Sequence, residues 1–200
     1  GFEVWTAGTV VLALPLFVAH RLLDRPSDAL RQAATATAYA PWLVANLQLD
    51  KPLLDRPGVP PAWDNVVYGS QALGYVDAMH QSLRPYAGAT VLSAYSALPA
   101  GEREALLQQP WSFWAGRVID GLAPVHPDLR QRVQRIDLMR YGHAMAIPRP
   151  GQQASAAARG ALRGGSGRVR FAHADLAGYS VFEEAFTAGC EAAIAPCRCA

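Results

Sequence analysis

Two hundred residues, 51% of them hydrophobic and 17% charged, are enough for one or two buried cores and exclude a disordered chain. The net charge is only +2, and although seventeen arginines outnumber a single lysine, Lys51, no basic run gathers them, which argues against a nucleic-acid partner. Cys190, Cys197 and Cys199 all fall at the carboxyl end and the histidines show no ligand spacing, so there is neither a disulfide framework nor a metal set.

The first clear signature is GTVVLALP, Gly8 to Pro15, a short apolar run that reads as a buried strand entered in full stride. A chain that opens so soon on such a strand, from Gly1, reads as one with sequence missing before it. The run from Val10 to Ala19 lacks a basic leader, contains Pro15 and meets Arg21, Asp24 and Arg25 well short of the roughly 20 apolar residues of a membrane span. A strand is the better reading, with membrane association left open. Leu16 to Leu23 reads as a short helix stopped by Asp24 to Pro26, and Ser27 to Ala38 as a weak helix or loop. Trp42 to Leu49 alternates, with Leu43, Ala45, Leu47 and Leu49 on an apolar face and Trp42, Val44, Asn46 and Gln48 on a polar-lined one.

Prolines make Pro52 to Pro61 an irregular connection, and Asp64 to Tyr68 resumes extended structure. Gly74 to His80 and Thr90 to Ala97 are predicted as antiparallel strands linked through Pro85 and Gly88. Asp77 and His80, three apart on such a strand, would face opposite ways and make a poor pair. Gly101 to Gln109 reads as helix, and Pro110 opens another whose stripe, Trp111, Trp114, Ala115, Val118, Ile119 and Leu122, is either core or the wall of a substrate cavity. Val133 to Tyr141 alternates without a purely apolar face and is read as strand. The alanine-rich stretch Gln152 to Leu162 is read as helix. Gly160, Gly164, Gly165 and Gly167 have neither the G-x-G-x-x-G spacing nor a P-loop lysine, so they form a loop.

Arg168 to His173 follows as a short strand, and the chain turns through Asp175, Leu176, Ala177 and Gly178. Ser180 with Glu183 fits a capping box at the start of a helix that carries Val181, Phe182, Ala185, Phe186 and Ala188 at helical spacing. Any α/β protein can contain such a strand, turn and helix; the same helix start can also meet an anion or a carbonyl oxygen through its unpaired N–H groups. Phe171, Ala172 and Asp175, followed by Phe182, Glu183, Glu184 and Ala185, resemble the closing motif of FAD-dependent amine oxidases and their phytoene desaturase and protoporphyrinogen oxidase relatives. In that family a strand F-A-G-x-E leads into a helix G-x-x-E-G-A. Ala7, Val10, Val11, Ala13 and Pro15 resemble the same family's return strand, A-x-x-V-V-x-A-x-P. His173 in place of glycine, Asp175 in place of glutamate, and a different loop length depart from the pattern.

The resemblance implies an α/β (α+β) architecture: a mixed-sheet substrate-binding domain with helices, at 25–150, between pieces of a Rossmann-like FAD-binding domain at 1–24 and 151–200. It implies FAD, with Ala13 and Pro15 toward the adenine side, Asp175 by the ribityl and phosphates, and Gly178, Ser180, Val181 and Phe182 around the pyrimidine edge. His143, in RYGHAMAIPRPG, stands where some amine oxidases carry a flavin-linked cysteine, so the cofactor would be non-covalent. Ala144 takes the place of one aromatic cage residue, while Tyr179 matches the other wall. His143 and Tyr179 are thus the catalytic candidates, with a structural role for His143 the alternative reading.

The dinucleotide-binding half is expected before Gly1, and this part alone is expected to bind FAD weakly or not at all and to be inactive. The implied reaction is hydride transfer from a C–H bond of a small molecule, with an amine as the candidate. A carotenoid-desaturase-like substrate and a non-catalytic α+β module binding an apolar ligand are the alternatives. Two placements follow: the strands at Val10 and Phe171 should meet as neighbouring layers, and Asn46, Gln48, Tyr75 and Tyr95 should include residues facing a substrate cavity.

Overall fold

A computed structural model describes residues 1–59, 62–83, 88–150 and 153–197. In chain order its elements are β1 (Val10–Leu12), α1 (Leu16–Leu22), α2 (Asp28–Ala36), β2 (Tyr39–Leu49), β3 (Asp64–Asn65), β4 (Gly74–Asp77), β5 (Thr90–Ala97), α3 (Arg103–Gln108), α4 (Trp111–Leu122), α5 (Leu129–Arg132), β6 (Val133–Ala146), α6 (Gln153–Arg163), β7 (Val169–Phe171) and α7 (Phe182–Cys197). The sheets mix parallel and antiparallel pairing and are accompanied by helices, an α+β fold. The expected turn residues Pro85 and Gly151, the helix start at Gln152, and Cys199 lie outside the described residues, as does the Cys197 side chain. Among the described residues no helix is long and apolar enough to cross a membrane, and no metal-ligand cluster occurs.

The chain forms two compact units, one of Gly1–Tyr39 with Met145–Ala200 and one of Ala40–Ala144. In the first, β1 and β7 pair in parallel, with Val10 opposite Val169 and Leu12 opposite Phe171. The strands at Val10 and Phe171 therefore do meet, but as hydrogen-bonded neighbours in one sheet and not as separate layers. Leu16, Ala19, Leu30, Ala33, Leu162, Phe171, Leu176 and Ala188 bury against one another as the core of this unit. Its membership places α2 in the first unit, beyond the expected boundary at residue 24. The stretch read as a weak helix or loop is a firm helix for the same reason. Ser27 Oγ accepts from the Leu30 N–H at 3.2 Å as an N-cap, and Leu30 and Ala33, three apart, are wholly buried.

The second unit is built on a sheet with strand order β3-β4-β5-β2-β6. β2 and β5 run antiparallel from Trp42 opposite Ala97 to Leu49 opposite Thr90. The period-2 reading of β2 holds: Leu43, Ala45, Leu47 and Leu49 are buried, and their neighbours are not. They pack with Leu92, Trp114, Ile119 and Leu122, so α4 backs this face. Trp111 departs from the expected stripe; it is 51% exposed and its indole donates to the Ile136 carbonyl at 3.2 Å.

β4 is shorter than the strand expected to reach His80. Asp77 Oδ1 accepts from the Met79 N–H at 2.9 Å and turns the chain into a single 3-10 turn, so Asp77 and His80 do not share a strand. At its other end, Gly74 has φ +150°, and a Cβ there would lie 2.1 Å from the Asn65 carbonyl oxygen. β6 is longer than expected, running to Ala146. The Asp50 N–H donates to the Arg132 carbonyl at 3.1 Å and the Ile147 N–H to that of Ala38 at 2.8 Å, so β6 runs antiparallel beside β2 along its length.

Candidate functional site

Behind the closing turn lies a buried carboxylate. Asp175 is wholly buried, and its Oδ2 accepts from the Leu16 N–H at 2.9 Å, the first orphan donor of α1, and from the Tyr39 hydroxyl. A short 3-10 turn, Ala174–Leu176, follows β7 and aims the side chain there. His173 Nδ1 accepts from the Asp175 N–H and lies 3.2 Å from Oδ1. One lone pair serves one donor, so the contact with Oδ1 becomes a hydrogen bond only when the ring is protonated. Burial pushes the carboxyl up, but hydrogen bonding from His173, from Tyr39 and from the Leu16 N–H outweighs it and holds Asp175 below the usual carboxylate range. Burial first, and then Asp175, push the Tyr39 phenol far up. Asp175 thus latches the entry to α1 and the end of the first chain segment to the turn after β7.

The turn itself presents donors. Gly178 is buried at φ +87°, and its N–H closes on the Asp175 carbonyl at 3.0 Å. Beyond it, the backbone N–H groups of Tyr179, Ser180, Val181 and Phe182 have no partner among the described residues. Ser180 is not the cap its spacing suggested. Helix α7 begins at Phe182, the Ala185 N–H reaches the Val181 carbonyl at 3.4 Å, and Ser180 Oγ instead accepts from the Ala146 N–H at 2.9 Å. With its hydroxyl turned away, the helix start is left uncapped. Val181 and Phe182 are exposed, and Phe182 stacks on Phe186 with ring centroids 6.0 Å apart.

Tyr179 is exposed, and its hydroxyl donates to Glu184 Oε1 at 2.9 Å, which raises the phenol above its ordinary value. Ala13 and Pro15 follow β1 in the same unit, Ala13 exposed and Pro15 at the cap position of α1. His143 lies on the exposed part of β6, in the second unit.

In the second unit, the sheet face away from α4 carries Trp42, Val44, Asn46 and Gln48 of β2, paired with Ala97, Tyr95, Ser93 and Val91. Ser93 Oγ donates to Asn46 Oδ1 at 2.7 Å, Tyr95 OH donates to Asp64 Oδ1 at 2.8 Å, and the Trp42 and Tyr95 rings are nearly parallel at 6.5 Å. Tyr75 does not share that face. It is buried on the helix-backed side, its hydroxyl 2.7 Å from His126 Nε2, and burial raises its phenol and lowers the His126 imidazole. A cavity of about 500 Å³ opens on the helix-backed side, lined by Leu43, Ala94, Trp114, Val118 and Leu122 among others.

No family model matches the chain, and no curated protein matches it in sequence. Solved structures do. Cyclohexylamine oxidase from Brevibacterium oxydans IH-35A superposes with a TM-score of 0.69 over 94% of this chain and 42% of its own, at 15% identity. The chain has a partial amine-oxidase fold. Putrescine oxidase bound to putrescine gives a TM-score of 0.67 at 13% identity, over 94% of this chain and 42% of its own. A putative protoporphyrinogen oxidase from Exiguobacterium sp. 255-15 gives 0.56 at 14%, over 91% and 40%. The chain spans about two-fifths of the length of these proteins. At such identities the likeness is one of fold.

Two residues of the amine-oxidase-like closing region carry no mark in a motif reading. Tyr39 lies 136 positions from Asp175, so its part in the latch is set by topology alone. Arg159 was visible in principle. Ser155, Ala158, Arg159 and Leu162 form the buried i, i+3, i+4, i+7 stripe of α6, and a charge on a buried stripe is a signal.

Proposed function

We propose that this chain is the closing part of an FAD-dependent, amine-oxidase-like oxidoreductase whose dinucleotide-binding half is encoded before Gly1. The observation that carries the reading is the run of unpaired N–H groups from Tyr179 to Phe182, ahead of the long helix α7 and braced from behind by Asp175. Donors of that kind fit the electron-rich pyrimidine edge of a flavin ring, and Gly178, at its positive φ, lets the chain turn toward them. FAD held there supplies a hydride acceptor for a substrate C–H bond.

The chain's own residues bind and orient. The backbone of Gly178, Ser180, Val181 and Phe182 meets the ring edge, while Ala13 and Pro15 approach the adenine side. Asp175, spent on Leu16 and Tyr39, holds the turn by the ribityl and phosphates in place. Tyr179 forms one wall of the substrate site, the substrate being a small molecule such as an amine. No cysteine stands at His143, so the flavin is non-covalent. A second reading, a module binding an apolar ligand, draws support from the cavity beside Trp114.

Absorbance of the full-length protein after gel filtration tests the first reading. A yellow protein whose flavin enters the supernatant on acid precipitation is expected, and Tyr179→Ala should lower turnover. A colourless, folded product overturns it, and flavin that stays in the precipitate overturns the non-covalent part.

A further inference from the structure

In the second unit, two opposite charges line one cavity without pairing with each other. Arg56 opens a turn whose middle is Pro57 and Gly58, the latter at φ +76°, and the Val59 N–H closes that turn on the Arg56 carbonyl at 3.0 Å. The stretch before it is pinned, because Asp128 Oδ2 accepts from the Leu54 N–H at 3.2 Å. Arg56 is half-buried, and among the described residues no carboxylate stands within ion-pair reach of it, Asp55 and Asp77 included. It lines a cavity of about 270 Å³ on the helix-backed face of the sheet. Strand register supplies the floor: Leu49 stands opposite Thr90, Asp77 stands opposite Leu92, and Tyr75, two before Asp77, shares its side. His126 lines the same cavity, beside Tyr75.

Both charges act on the Tyr75 and His126 pair. Arg56 lowers the phenol and the imidazole and Asp77 raises them, while burial sets the net direction of each, so the imidazole is neutral with one N–H to place. If Nε2 accepted from Tyr75, that hydrogen would sit on Nδ1, which is buried without a partner. A buried N–H with no acceptor is rarer than a lone pair with no donor. Nε2 therefore donates, and the hydroxyl hydrogen of Tyr75 is left for a ligand. Asp77 Oδ1 accepts from the Met79 N–H at 2.9 Å and from the Thr90 hydroxyl at 3.3 Å, and its Oδ2 has no partner among the described residues.

We infer that this cavity is a binding site for a small apolar amino acid, its carboxylate on Arg56 and Tyr75, its ammonium on Asp77, and its side chain against Leu49, Leu53 and Leu92. A plain carboxylate would bring like charge to Asp77, and a plain amine would bring it to Arg56; the zwitterion satisfies both. The volume lies below the roughly 300–1,000 Å³ of drug-sized sites, which suits so small a ligand. The site belongs to the second unit alone, on the side of the sheet away from Asn46 and Gln48, and it needs no flavin.

Calorimetric titration of the full-length protein tests it with three probes: leucine, 4-methylpentanoate, which lacks the ammonium, and 3-methylbutylamine, which lacks the carboxylate. The wild type should bind leucine, and each of the other two at least tenfold more weakly. Arg56→Gln should weaken leucine at least tenfold. Asp77→Asn should do the same, since the amide oxygen still accepts from the Met79 N–H and keeps the turn while the charge is gone. Arg56→Lys, which keeps the charge without the fork and guards against a variant that does not fold, should fall between wild type and Arg56→Gln. A wild type that does not bind leucine overturns the site, as does leucine affinity that is equal in wild type, Arg56→Gln and Asp77→Asn. Either one-charge probe binding as tightly as leucine overturns the amino-acid assignment.

Discussion

Asp175 shows how one buried charge can be held by its hydrogen bonds. Its carboxylate, wholly buried, accepts from the Leu16 N–H and from Tyr39, and losing it leaves two donors unanswered. Asp175→Ala is therefore expected to destabilise the protein by roughly 2–5 kcal/mol, and Tyr39→Phe by roughly 1–3 kcal/mol, read from urea denaturation. Because these bonds depress the folded pKa, the stability Asp175 contributes is full above the ordinary carboxylate range and lost as pH falls through the folded value. Stability should drop below about pH 4, and Asp175→Asn should flatten that part of the profile. An unchanged slope would put the acid sensitivity elsewhere. Gly178 makes a separate test. Gly178→Ala meets both the positive φ and the Arg159 guanidinium, so its cost should fall to roughly 1–2 kcal/mol, that of the backbone alone, once Arg159→Ala has cleared the space. The sequence marked Asp175 and Gly178 through the turn they form. It could not mark Tyr39, because nothing local tells a tyrosine at the start of a strand which distant acid it will meet.

Elements were legible where one periodicity decided them. β2 alternates because its apolar face meets α4, and that alternation is written in Leu43, Ala45, Leu47 and Leu49. The boundaries of β4 and α7 were not legible, since each is set by one contact that competes with the local signal. Asp77 turns its carboxylate onto the Met79 N–H and ends β4; Ser180 Oγ accepts from the Ala146 N–H and leaves α7 uncapped. Helix α2 was underestimated because its alanines and threonines carry little signal by themselves, whereas burial of Leu30 and Ala33 and the Ser27 cap supply it. Ser27→Ala should lower stability by roughly 0.5–2 kcal/mol in thermal melts, and Ser27→Asp should restore it. A Ser27→Ala change without effect would show that packing alone holds the helix.

At the scale of the whole molecule, the first unit contains a sheet that is too small for its type. Parallel strands are found in sheets covered on both faces, yet among the described residues β1 and β7 stand as a pair, with Val10 and Val11 45% and 47% exposed. The second unit has a five-stranded sheet with a helix-backed core and no such deficit. If the proposed dinucleotide-binding half adds strands beside β1 and β7, the two units should differ sharply in what that half does for them. Hydrogen exchange followed by mass spectrometry separates the cases. In the 200-residue chain alone, the amides of Val10–Leu12 and Val169–Phe171 should exchange by local opening, far faster than those of β2 and β5. In the full-length protein they should slow by at least a hundredfold, roughly 2.7 kcal/mol of added protection, while β2 and β5 change little. Equal protection of β1 and β7 in both forms would mean that the pair is already complete and that no further strands join it.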